Sequence, residues 1–143
     1  MKFGYHALAI DEKRADFPPY LWDETEEVAG QTIEQIWFVG VHSDVGGWYD
    51  ERGLSNFALQ WMLAKASACG MEIDKAGAAA AKYQGNPHDT KHESYEGIWI
   101  FRGSKVRTIP EGARIHKSVD ERMKKPENGY KPQNLPKKYT FVS

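Results

Sequence analysis

Three consecutive residues that could do chemistry, His42, Ser43 and Asp44, follow an apolar run and precede the glycine pair Gly46-Gly47. A histidine can act as a general base because its free pKa lies near neutrality. A histidine that only hydrogen-bonds to its own loop is the alternative. Asp44 could orient the ring of His42, or it could cap the loop in an Asx-turn. His42 and Asp44 are therefore the candidate catalytic residues.

Ser43 is a poor candidate for a nucleophile. A serine activated at a strand-to-helix turn needs the pattern G-x-S-x-G, which exposes its hydroxyl group at a sharp bend. Val41 and Val45 stand where the two glycines would be, and no other serine of the chain has both glycines. The sequence therefore offers a candidate base without a recognisable nucleophile.

The other histidines point less clearly to chemistry. His88 and His92 are four residues apart, a spacing that can bind zinc on a helix. The segment Gly85-Asn86-Pro87 before them argues against a regular helix, so we expect a polar loop and no metal or cofactor. His6 is expected to be a hydrogen-bonded histidine at the edge of the cleft. His116, beside Ser118 at a helix start, is expected to cap that helix.

The elements that must position His42 are a strand before it and a helix after it. Residues 35–41 carry β-branched, aromatic and small side chains from Ile36 onward and no charge, which predicts a strand buried on both faces of a parallel sheet. Ligands of open α/β sheets bind beyond the carboxyl ends of the strands, where His42 stands. Residues 54–69 predict a helix with Ser55 or Asn56 as its N-cap and Gly70 after its end.

The remaining elements are weaker. We expect a helical turn or strand end at residues 5–10 and a helix at 74–83, weakened by its glycine. Residues 97–101 and 105–109 could pair as strands, with a helical first segment as the alternative. A short helix capped by Ser118 should follow, and then an extended, proline-containing tail from Pro126. The prediction is an α/β fold: one incomplete domain over residues 1–143, with a partial sheet of few strands packed with helices and a long irregular C-terminal tail.

Composition excludes several classes of protein. The net charge of −1 does not favour binding to nucleic acid. Residues 1–50 are acidic and residues 105–138 basic, which predicts two attracting faces, with a phosphate-binding tail as the alternative. Cys69 is the only cysteine, which excludes an internal disulfide and suggests packing in a helix. No segment resembles a signal peptide or a membrane span, so a cytoplasmic location is expected unless a signal-free route exports the protein.

Several segments resemble, in order, one family of proteins. They are YHALAIDEKRADFPPYLW from Tyr5, WFVGVHSDVGGWY from Trp37, LSNFALQWML from Leu54, and IHKSVDERM with YKPQNLP after it. Together they resemble the C-terminal half of an α/β-hydrolase-like family of bacterial and fungal domains that includes the phospholipase effectors of type VI secretion. The resemblance runs from Tyr5 to about Pro136.

The resemblance implies a serine-hydrolase mechanism in which His42 is the base and Gly46 and Gly47 let the backbone turn near the cleft. Complete members carry the G-x-S-x-G elbow and a further aspartate upstream of the matched segments, and both are absent here. Trp48 also stands where the family often has glycine. The leading hypothesis is the C-terminal part of a lipase, phospholipase or esterase, acting on a lipid or ester when an N-terminal half completes it. The alternative is a non-catalytic interaction or remnant domain that self-associates as a homo-oligomer.

Overall fold

The chain has an α/β fold in a computed structural model that describes residues 1–26 and 28–143. The strands are β1 (Phe3–Ala9), β2 (Thr32–Phe38), β3 (Ala113–His116) and β4 (Tyr139–Val142). The α-helices are α1 (His42–Gly46), α2 (Ser55–Ala68), α3 (Lys75–Ala78) and α4 (Lys117–Met123). Short 3-10 helices cover Glu24–Glu26, Ala81–Tyr83, Gly97–Arg102 and Pro126–Asn128.

The four strands form one parallel sheet in sequence order, β1-β2-β3-β4. β1 pairs with β2 from Phe3 opposite Thr32 to Ala9 opposite Phe38. The β2–β3 pairing is short, and β3 pairs with β4 over four residues. In the described part of the chain, β1 pairs with β2 alone, so its outer edge is open. The small parallel sheet with helices confirms the predicted fold class.

β2 begins and ends three residues before the predicted range 35–41, but its second half, residues 35–38, is buried on both faces, as the uncharged run predicted. Ile36 and Phe38 pack on one face against Ala58 and Trp61 of α2. Trp37 and Val39 pack on the other face, in a cluster that includes Ile115. Burying each large apolar side chain stabilises the fold by about 1.5–3 kcal/mol. This two-sided packing fixes the end of β2 and hence the start of the loop that carries His42.

α2 agrees with the prediction except at its start. It ends at Ala68, and Gly70 has a positive φ of 93° just after it. Ser55 and Asn56 lie inside the helix instead of capping it. The Asn56 side chain donates to the carbonyls of Lys82 and Gln84, at 3.1 and 3.0 Å. The Asn56 side chain therefore binds a distant segment instead of capping the helix, while the Ser55 hydroxyl donates to the nearby Arg52 carbonyl.

The predicted pairing of residues 97–101 with 105–109 is wrong. Gly97–Arg102 is a 3-10 helix, as in the helical alternative, and residues 105–109 are in no strand. Ile98, Ile100 and Phe101 are exposed, so this apolar run has no buried face on which a strand could pack. The predicted helix at 74–83 is broken into α3 and the 3-10 helix Ala81–Tyr83, consistent with the low helix propensity of the glycine within it.

The ends of α4 and of the chain also differ from expectation. The cap of α4 is the His116 side chain, which accepts from the Ser118 N–H at 3.2 Å, so His116 caps and Ser118 does not. The tail begins with the 3-10 helix Pro126–Asn128, is then irregular, and enters the sheet as β4. Cys69 is exposed, which contradicts its predicted packing role. Among the described residues, no helix has the length and apolar character that crossing a membrane requires.

Candidate functional site

His42 begins α1, four residues after β2 ends, at the carboxyl edge of the sheet. The chain turns there through Gly40, whose φ is 105°. His42 is exposed, and its backbone N–H donates to Glu12 Oε2 at 3.1 Å. Its ring makes a T-shaped contact with the Phe17 ring, with ring centroids 5.6 Å apart. The ring is therefore held on one side by an aromatic neighbour and is open to a cavity.

The cavity beside His42 has a volume of about 690 Å³, within the range of small-molecule sites. Its walls come from the end of β1, residues 17–20, α1 with the glycine after it, and one face of α2. Ala58, Leu59 and Met62 give the α2 wall an apolar character. The described lining includes His6, His42, Arg52 and Arg107 but no carboxylate. The site can therefore accept an apolar group together with a negative charge.

Gly46 and Gly47 both line this cavity, as expected of a backbone that turns close to a cleft. Gly47 has a φ of 84° and ends α1, with its N–H donating to the Ser43 carbonyl at 2.9 Å. Trp48, the next residue, is 86% exposed. The glycine pair therefore ends the short helix and leaves the cavity wall without side chains at these positions.

Asp44 is buried on the other side of α1, and its hydrogen bonds go to Val41 and His92. Its Oδ2 accepts from the Val41 N–H at 2.9 Å and from the His92 N–H at 3.1 Å. Its Oδ1 lies 2.6 Å from His92 Nδ1. The first of these bonds caps the start of α1 by reaching back three residues, so it is a helix cap and not the Asx-turn that was the alternative. The catalytic role assigned to Asp44 from the sequence stays a prediction.

His92 lies between two carboxylates and against an aromatic ring. Its Nε2 is 3.5 Å from Glu51 Oε2, and its ring stacks on Tyr49 with centroids 3.6 Å apart. Within residues 1–26 and 28–143, no group of three or more His, Cys, Asp or Glu side chains is arranged to hold a metal ion. The position of His92 instead connects the loop after Pro87 to the His42 segment.

Glu12 is the buried carboxylate nearest to the His42 backbone, and the sequence reading missed it. Its side chain is inaccessible and accepts from the His42 N–H, from Ser94 Oγ at 2.6 Å, and from Arg14 through Nε and Nη2 at 2.9 Å each. The backbone N–H groups of Lys13 and Arg14 also donate to it. Burial alone would raise the pKa of Glu12, but the hydrogen bonds outweigh burial and lower the pKa to about 2.

Asp11 holds the same turn from the neighbouring position. Its Oδ2 accepts from the Gly40 N–H at 2.7 Å and from the Tyr130 hydroxyl at 2.9 Å. Burial raises the pKa of Asp11. The available sequence signal was the acidic pair just after an apolar segment, but only the parallel pairing of β1 with β2 brings that pair to the turn.

Three further cationic or titratable groups have structural partners. Arg107 is 8% exposed and donates to the carbonyls of Ala9 and Phe17 at 2.8 and 2.9 Å, and burial lowers its pKa. His116 lies in the core against Phe38, where burial lowers its pKa to about 4. His6 lines the cavity, and its Nδ1 is 3.4 Å from Gln35 Oε1. His116 therefore belongs to the α4 cap and His6 to the cleft edge, as the sequence indicated.

Residues 1–65 match the family model described as T6SS, Phospholipase effector Tle1-like, catalytic domain. The matched segment is less than half of the chain and includes β1, β2, α1 and the first part of α2. No curated protein matches the chain, and no solved structure does. The family match supports the resemblance to phospholipase effectors of type VI secretion, and it covers the segment that carries Glu12, His42 and Asp44.

Proposed function

We propose that this chain supplies the general base, His42, of a phospholipase-type ester hydrolase whose nucleophilic serine comes from outside these 143 residues. The observation that carries the proposal is the place of His42: exposed at the carboxyl end of a buried parallel strand, facing a large cavity, within the matched segment. The chain is then one incomplete domain of an α/β-hydrolase-like fold.

His42 would act twice in such a reaction. It takes the proton of the serine hydroxyl as the serine oxygen bonds to the ester carbonyl carbon, and it gives that proton to the departing alcohol oxygen. Water then attacks the acyl-serine with His42 again as base, which releases the carboxylic acid and restores the serine. The exposed ring beside the cavity supports this role, because a base must reach the hydroxyl and the leaving group directly.

The serines near the cavity are poor nucleophiles. Ser55 lines the cavity, but its hydroxyl donates to the Arg52 carbonyl at 3.1 Å. Ser94 donates to Glu12, and Ser43 lacks the flanking glycines. The open edge of β1 borders the cavity, so a parallel strand added there would place its carboxyl end at the same edge as His42. A serine at the end of that strand would face the base.

The proposed substrate is a phospholipid ester. The match to a phospholipase effector catalytic domain supports this class. The cavity is consistent with it, because its α2 wall suits an acyl chain and Arg52, the exposed arginine of its lining, suits a phosphate.

The test is hydrolysis of a fluorogenic phospholipid by this chain joined to an upstream segment that carries G-x-S-x-G. His42→Ala should abolish turnover and leave the circular dichroism spectrum unchanged, while His88→Ala, at an exposed histidine outside the cavity lining, should keep it. Turnover that survives His42→Ala would remove His42 from the mechanism. The unjoined chain should form no adduct with a fluorophosphonate probe by intact-mass spectrometry; an adduct would show an activated serine within it.

Self-association is the second candidate function. The open edge of β1 carries unpaired backbone groups, which can template pairing with a second copy. Sedimentation velocity distinguishes the two functions, since a stable monomer at high concentration would argue against a self-associating domain.

A further inference from the structure

We infer that Glu12 is the positioning residue of His42 and fixes both its backbone and its ring. The inference rests on the proposed function, since it concerns how the base of that reaction is held. Glu12 and His42 are separated by 30 positions, and the parallel pairing of β1 with β2 brings their segments together.

The backbone of His42 is fixed directly. Glu12 Oε2 accepts the His42 N–H, while the Glu12 side chain is itself held by Arg14, Ser94 and its own following backbone. A carboxylate with this many donors and no exposed surface has one available orientation. Asp11 holds Gly40, two residues before His42, by the bond from the Gly40 N–H. Two consecutive carboxylates, Asp11 and Glu12, therefore hold the turn into α1 by hydrogen bonds at Gly40 and His42.

The ring of His42 is fixed through Arg14 and Phe17. Arg14 is bound to Glu12 by two side-chain N–H groups, and its guanidinium lies 3.8 Å from the centroid of the Phe17 ring. Phe17 presents its ring to His42 at 5.6 Å and touches Trp99 on another side, at 5.5 Å. Removing the Glu12 carboxylate releases the arginine that holds Phe17, and so loosens the contact that orients the histidine.

Asp44 has other partners. Its two oxygens are engaged by Val41 and by His92, which places its contribution at the start of α1. Arg14 offsets the charge of Glu12 at a distance of 2.9 Å. Glu12 therefore acts on His42 by geometry, and a neutral isostere should disturb the position of the histidine.

Histidine ring ¹H–¹³C spectra of the chain test this inference without any turnover. In Glu12→Gln, we expect the His42 cross-peak to shift and broaden, while those of His88 and His116 stay in place as internal references. Glu93→Gln is the matched control, because Glu93 pairs with Lys13 and makes none of the described contacts with His42. A folded Glu12→Gln protein with an unchanged His42 cross-peak would overturn the inference.

A second variant covers the case in which Glu12→Gln does not fold. Arg14→Lys keeps the positive charge and the Phe17 ring but loses the two-pronged bond to Glu12, and it should broaden the His42 cross-peak alone. An unchanged cross-peak in that variant would likewise overturn the inference that Glu12 positions the His42 ring through Arg14.

In the joined, active protein the expected signature is a split between the kinetic constants. Glu12→Gln should lower kcat by about 10- to 100-fold with KM nearly unchanged, because a small misplacement of a catalytic group affects the reacting geometry more than binding. A change in KM alone would contradict a positioning role. If His42→Ala kept its activity, the proposed function would fail, while the ring spectra would still report whether Glu12 positions His42.

Discussion

Asp44 and His92, 48 positions apart in the sequence, form a pair in which Oδ1 and Nδ1 are 2.6 Å apart and the aspartate is almost fully buried. The pair ties the loop after Pro87 to the helix that starts with His42. Asp44 therefore stabilises the helix that carries His42 without lining the cavity itself.

We expect His92→Ala to lower the free energy of unfolding by about 1–3 kcal/mol, because it leaves the buried carboxylate without one of its donors. Urea denaturation followed by tryptophan fluorescence measures this. Thr90→Ala is the control, since Thr90 is exposed and its described hydrogen bond comes from the backbone N–H, and it should change stability by less than about 0.5 kcal/mol. Equal losses in both variants would contradict the special role of His92.

Gly40 should not tolerate a side chain. A Cβ atom there would lie 2.4 Å from the Cβ of Asp44, and the residue has a φ of 105°. Gly40→Ala should therefore destabilise the protein by more than about 2 kcal/mol and displace the His42 turn. Gly112→Ala is the control that separates backbone strain from steric clash. Gly112 has a φ of 80°, but no atom lies within 4 Å of an added Cβ, so this variant should lower the free energy of unfolding by only about 1 kcal/mol. Similar costs at both glycines would argue against the close approach of Asp44.

The core histidine His116 should make stability fall in mild acid. Its folded pKa is about 4 against an ordinary 6.5, so the unfolded chain binds the proton first as the pH drops. The stability it provides is complete above pH 6.5 and is lost progressively toward pH 4, a change on the order of 3 kcal/mol. His116→Gln removes the titration, and thermal unfolding in that variant should be flatter across this range. A wild-type curve that is flat from pH 6.5 to 4 would contradict the prediction.

Glu12 should act in a lower pH range. Its pKa is about 2 in the folded protein against an ordinary 4.5, so it contributes stability above pH 4.5 that is lost as the pH falls toward 2. Chemical denaturation at pH 5 and pH 3 should show a smaller pH difference in Glu12→Gln than in the wild type. Glu93→Gln is the comparison, because Glu93 is partly exposed, and its effect on the pH difference should be smaller.

The parts of the fold that could be predicted are those with a long local pattern. The uncharged run of residues 35–41 identified β2, though the strand is three residues earlier, and the apolar face of residues 54–69 with Gly70 after it identified α2. Strands β3 and β4 were missed because each has four residues and is partly exposed. The apolar run at Ile98–Phe101 misled the prediction because composition alone does not tell a strand from a 3-10 turn.

The candidate site shows the same division. His42 could be found because its position after a buried strand is a local property. Glu12 and His92 could not, because 30 and 48 positions separate them from the residues they contact, and only the sheet pairing and the long β2–β3 connection bring them near. The buried position of Arg107 could not be predicted either. Its partners are the backbone carbonyl groups of Ala9 and Phe17, and every residue type has such a carbonyl.

The connection from β2 to β3 runs from residue 39 to residue 112 and contains α1, α2 and α3 before the chain returns to the sheet. The β1–β2 pairing closes a much shorter loop, so we expect it to form first during folding, with the β2–β3 contact later. The carboxylates at residues 11 and 12 and His42 belong to the β1–β2 pairing, which forms early. His92 belongs to the β2–β3 connection, which folds later. The backbone of the candidate base would then be fixed before the segment that carries His92 packs beside it. Pulse-labelled hydrogen exchange would reveal this order as protection at Gly40 and His42 before protection at His92.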